Sequence, residues 1–103
     1  MSILDEIKAE ARALRSSKKL QDIIMDQMPA PNIDWAVAVV LDCLLQTRES
    51  EGMLLGFVRE TQWNIVKANL DKLVRAGKLE RAQGIGDNNR PANTYNRTPI
   101  HHG

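Results

Sequence analysis

Cysteine, long apolar runs and net charge are all scarce in these 103 residues, and each scarcity removes a class of protein. The single cysteine, Cys43, has no partner for an internal disulfide, which excludes a disulfide-stapled scaffold. It lies in an apolar run with no histidine nearby, so a buried, unreactive thiol is expected rather than a nucleophile. The longest apolar run, WAVAVVLDCLL, is too short to span a bilayer and is interrupted by Asp42. No basic segment precedes an apolar core at the N-terminus, where Asp5 and Glu6 stand instead. A cytoplasmic protein without a membrane partner is the expectation.

Groups for chemistry are equally thin. His101 and His102 are adjacent and terminal, with no further ligands spaced to hold a metal. Gly84-Ile85-Gly86 is only a GxG and does not open a helix, so it does not read as a phosphate cradle. No carboxylate pair stands out. Neither an enzyme nor a cofactor or metal site is expected.

The net charge is +1, but it is unevenly distributed. Residues 1–58 carry six Lys/Arg against nine Asp/Glu, a balance of −3. Residues 59–103 carry eight against four, a balance of +4. The C-terminal half therefore suits a polyanion. An unevenly charged solvated surface accounts for the same numbers.

With 43% hydrophobic and 26% charged residues, the chain has the composition of an ordinary globular protein. Its periodicity is mainly helical. Ser2 suits the N-cap of a helix over 2–15, with Leu4, Ile7, Ala11 and Leu14 in one apolar stripe and Ile3 beside it. A second helix is expected at about 18–28, bearing Leu20, Ile23, Ile24 and Met28, before Pro29-Ala30-Pro31 ends the region. Asn32 or Asp34 suits the cap of a central helix over 34–48, apolar nearly all round from Trp35 to Leu45. The Glu/Ser/Gly cluster around Gly52 closes it, and a short helix follows at about 54–60. Thr61 caps a longer helix over 62–76, stopped by Gly77. Short strands are expected at 79–82 and 94–97, with 83–93 as loop between them.

On helix 62–76 the apolar residues Trp63, Val66, Leu70, Leu73 and Val74 form a core stripe. Asn64, Ile65, Ala68, Lys72 and Arg75 then face outward, with Gln62, Lys67 and Asn69 on the flanks. Such side chains can read a major groove: amides pair with adenine, cations with guanine, and alkyl groups meet the thymine methyl. The segment IVKANLDKLVRAGKLER resembles the recognition helix of winged helix-turn-helix regulators, the class of MarR, ArsR and Lrp-like repressors. Val66, Leu70, Leu73, Gly77 and Leu79 carry the spacing, and Arg90-Pro91 and Tyr95 resemble the wing.

The resemblance implies a mainly α fold with a small β-hairpin. An N-terminal helical extension (1–31) would precede a winged helix-turn-helix domain (32–98) and a flexible tail (99–103). It also implies double-stranded DNA as partner, read by Gln62, Asn64, Ile65, Lys67 and Ala68, with Lys72, Arg81 and Arg90 as cationic anchors and Arg97 beside them. The function expected is that of a small prokaryotic or phage transcriptional regulator. The stripe of Leu4, Ile7, Ala11 and Leu14 serves equally as a homodimer interface or as part of the chain's own core. The alternative function is a winged-helix adaptor or inhibitor that contacts another protein, which the low net charge and an exposed Ile65 favour.

Overall fold

The computed structural model describes residues 2–28, 35–85 and 91–98. Five helices and a three-stranded antiparallel sheet follow in the order α1 (Ile3–Leu14), α2 (Lys18–Gln27), β1 (Trp35–Ala36), α3 (Val37–Leu45), α4 (Arg48–Leu54), α5 (Arg59–Arg75), β2 (Leu79–Ile85) and β3 (Pro91–Arg97). The protein is thus mainly helical with a small sheet, as the composition of periodic segments suggested.

Both N-terminal helices start where serine offers a cap. Ser2 Oγ accepts from the Asp5 amide and Ser17 Oγ from the Leu20 amide, each satisfying a donor that the first turn leaves open. Residues 15–17 break the helix, so α1 and α2 are separate rods joined at a corner. α5 ends as its sequence indicates. Gly77 takes a φ of 77°, and the amides of Gly77 and Lys78 return to the carbonyls of Val74 and Leu73. Only glycine adopts that left-handed turn without a Cβ penalty, and the two bonds close the last turn of the helix.

The middle of the chain departs from expectation. The segment around Gly52 is helical: α4 covers 48–54, anchored by the buried Ser50, whose hydroxyl donates to the Leu44 and Thr47 carbonyls. The four residues Leu55, Gly56, Phe57 and Val58 form the turn, and α5 begins at Arg59 with Val58 rather than Thr61 at the N-cap. Trp35 is not helical. It pairs with Tyr95 in the sheet, so α3 starts two residues later, with Ala36 at its N-cap. Both hairpin strands run to seven residues. The 83–85 and 91–93 segments, loop-like by their Gly, Pro and Asn content, extend the ladder because backbone pairing in an antiparallel ribbon requires no periodic apolar side chain. The expected caps Asn32 and Asp34, the prolines 29 and 31 and the tail 99–103 lie outside the described residues.

The sheet order is β1-β3-β2, with Arg81 opposite Tyr95 and Leu79 opposite Arg97. Its inner side closes a core made of Ala11 from α1, Leu20 and Ile24 from α2 with Met28 just past its end, Val37, Val40, Leu41 and Leu44 from α3, Leu54 from α4, and Ile65, Val66, Leu70 and Leu73 from α5. Leu79 and Tyr95 complete it from the strands. Arg97 secures the outer corner by donating to the Met25 and Met28 carbonyls at the end of α2. A cation there also meets the negative end of the helix dipole.

Candidate functional site

α5 does not present the face its apolar residues suggest. Trp63 is 37% exposed, whereas Ile65, Asn69 and Gln62 are buried. At about 100° per residue, the inward side lies about 60° round from the stripe of Trp63, Val66, Leu70, Leu73 and Val74. Two amides cause the rotation. Gln62 Nε2 donates 2.8 Å to the Leu54 carbonyl at the end of α4. Asn69 Nδ2 donates to the Leu14 and Ile65 carbonyls at 2.7 and 2.8 Å, and its Oδ1 accepts from the Ser17 amide and Gln21 Nε2, both at 3.1 Å. An asparagine has two donors and two acceptor lone pairs, so its capacity is full. The α1–α2 corner is bolted to α5 at this point.

With that corner in place, Arg15 reaches across α5. Arg15, Asn64, Lys67, Ala68 and Asp71 line an open depression of about 290 Å³. At its floor Asp71 gathers three donors: Tyr95 Oη at 2.7 Å, Lys67 Nζ at 2.9 Å and Arg81 Nη1 at 3.2 Å. Burial works against the Asp71 charge. The bonds from Tyr95, Lys67 and Arg81, with the Lys67 charge, outweigh it and hold the carboxyl below its ordinary range. Burial and the adjacent Asp71 carboxylate together push the Tyr95 phenol well above its ordinary value. The hairpin is thereby tied to the outward side of α5, and Asp71 neutralises one of the three cations around it.

The proposed contact residues therefore divide. Asn64, Lys67 and Ala68 converge on the depression, and Arg81 reaches its edge through Asp71. Lys72 lies one turn beyond Ala68 and is half-buried, and Arg75, one turn beyond Asp71, is exposed. Gln62 and Ile65 point into the core, where no groove can reach them. Arg97 is engaged at the end of α2, and Arg90 lies outside the described residues. The N-terminal stripe divides too: Leu4 and Ile7 are exposed, while Ala11 is buried in the chain's own core and Leu14 packs against it.

Arg15, Asp71 and Tyr95 were not legible as one site. Only the Lys67–Asp71 spacing of four gave a local signal. Cys43 is half-buried, and Gly84 and Ile85 belong to β2. Among the described residues no three His, Cys, Asp or Glu side chains gather as metal ligands, and no helix is long and apolar enough to cross a membrane. A wider depression of about 550 Å³ lies between α2 and the start of the hairpin, where Asp22 and Asp26 balance Lys78 and Arg97.

Searches against family models, curated proteins and solved structures found no match.

Proposed function

We propose that this chain is a small winged helix-turn-helix module that binds double-stranded DNA as a transcriptional regulator. The observation that carries the reading is the continuous unit α4–turn–α5–hairpin, with a basic depression beside the outward edge of α5. Lys67 and Arg81 pair with one carboxylate and Arg15 lines the same depression, so three cations from separate segments leave a net positive site next to Asn64 and Ala68. Asn64 can exchange two hydrogen bonds with an adenine edge, and the Ala68 methyl can meet a thymine methyl. Arg15, Lys72 and Arg75 supply phosphate contacts that position the helix. Lys67 and Arg81 share Asp71, so either can turn to a phosphate while the other keeps the carboxylate paired.

Fluorescence anisotropy with labelled duplexes tests this. With about four phosphate contacts, affinity falls roughly a hundredfold between 50 and 200 mM salt. Lys72→Ala weakens binding to all duplexes alike and lowers the salt slope by about one, whereas Asn64→Ala changes the sequences selected from a random pool. Absence of binding to random and selected duplexes at low salt removes the proposal.

A second reading has its own observation. Leu55 and Val58 in the α4–α5 turn are 68% and 71% exposed, and Trp63 lies on the first turns of α5. Exposed apolar side chains at the start of α5 suit a protein surface better than a phosphate backbone. Leu55→Lys with Val58→Lys separates the two: it leaves a protein contact broken and DNA affinity equal or higher.

A further inference from the structure

The first two turns of α1 carry an apolar strip that the chain itself leaves uncovered. Ile3 is 74% exposed, Leu4 68% and Ile7 38%, although the same strip continues through Ala11 and Leu14 into the core. Residues 2–10 are all exposed, so this half of the helix projects from the body. The spacing Leu4, Ile7, Ala11, Leu14 is alternately three and four, the seam of a helix that packs against another helix.

The borders of the strip indicate which helix. At about 100° per residue, Glu10 and Glu6 fall along one side of its uncovered part and Lys8 along the other. If two copies of α1 pair in parallel about a two-fold axis, each acidic border faces the basic border of the other copy. In an antiparallel two-fold pair each border faces itself, so acid would meet acid and base would meet base. A chemically different partner would need a matching pair of opposite borders, and a second copy already has one.

We infer that the protruding half of α1 is a homodimer arm, pairing in parallel with α1 of a second copy through Ile3, Leu4 and Ile7 with Glu10 and Glu6 set against Lys8. The contact is isologous, as in most homodimers. Ala11 and Leu14 stay with their own body, so the two helices diverge beyond Glu10 and the bodies sit side by side. The inference stands independently of DNA binding.

Sedimentation velocity and disulfide trapping test it together. The wild-type chain sediments with twice the chain mass. Leu4→Lys and Ile7→Lys sediment as monomers with unchanged circular dichroism, because neither side chain belongs to the core. Glu10→Lys weakens the dimer roughly tenfold, and mixing it with Lys8→Glu restores a heterodimer. In a Cys43→Ser background, Leu4→Cys and Ile7→Cys each cross-link to a second copy on mild oxidation, since in a parallel pair every seam position faces its own counterpart. In an antiparallel pair only a residue on the axis does so. A monomeric wild type, lysine variants that remain dimeric, or cross-linking at only one of the two positions overturns the inference.

Discussion

Asn69 shows how much one buried amide holds. It is fully enclosed, and its four hydrogen bonds reach the last carbonyl of α1, the amide of the α2 cap residue, the Gln21 side chain and its own helix. Asn69→Ala leaves the Ser17 amide and the Leu14 carbonyl without their partners in a partly buried site. Each such group costs about 1–3 kcal/mol, so a loss of about 3 kcal/mol in urea denaturation is expected. Asn69→Leu does not recover it, because the stranded groups belong to the backbone. Gln62 plays the same part at smaller scale, with a single bond to the end of α4. Both residues are polar, and in the sequence alone both read as flanking the outward face. Both reach backbone groups left open at helix ends elsewhere in the chain, which no local pattern reveals.

At the scale of elements, the junction from α5 into β2 decides where the hairpin lies. Gly77 sets its direction, and nothing approaches the position where a Cβ would stand. Gly77→Ala therefore carries only the backbone penalty of a left-handed alanine, about 1 kcal/mol, visible as a lower thermal midpoint with unchanged circular dichroism. This junction was legible, since a glycine after a periodic helix with an aliphatic residue two positions later is a local signal. The α3–α4–α5 boundaries were not. Arg48–Leu54 contains Glu49, Ser50, Glu51 and Gly52, a composition that reads as a loop. It becomes helix because Leu54 and Ser50 are buried against α3. In the sequence Trp35 reads as helical because its neighbours are apolar, and a strand of two residues has no period of its own. β1 exists only through its pairing with β3.

Over the whole molecule, the Asp71–Tyr95 bond joins the helical layer to the sheet, and its pH dependence follows in both directions. The Asp71 carboxyl is held below its ordinary value. Its contribution to stability is therefore complete above the unfolded value of about 4 and is lost as pH falls through the folded one. The Tyr95 phenol is pushed up, so its contribution is complete below about 10 and is lost as pH rises beyond that. Stability from this pair should form a plateau with an acid and an alkaline limb, measured by denaturant unfolding across pH. Tyr95→Phe removes its own alkaline limb, moves the Asp71 limb upward in pH and costs about 1 kcal/mol on the plateau. The chain has one tyrosine, so near-ultraviolet phenolate absorbance follows this group alone.

The sequence determined the number and nature of most elements: the serine-capped helices, the apolar central helix, the glycine stop and the strands after it. Each rests on residues within a few positions of one another, where propensity, capping and periodicity act. Tertiary structure alone decided the rotation of α5, the two-residue strand at Trp35, the burial of Gln62 and Asn69, and the meeting of Arg15 with Lys67 and Asp71. Those outcomes depend on which carbonyls and amides distant segments leave unpaired, and a buried polar group goes to its partner even against the pattern of its own helix.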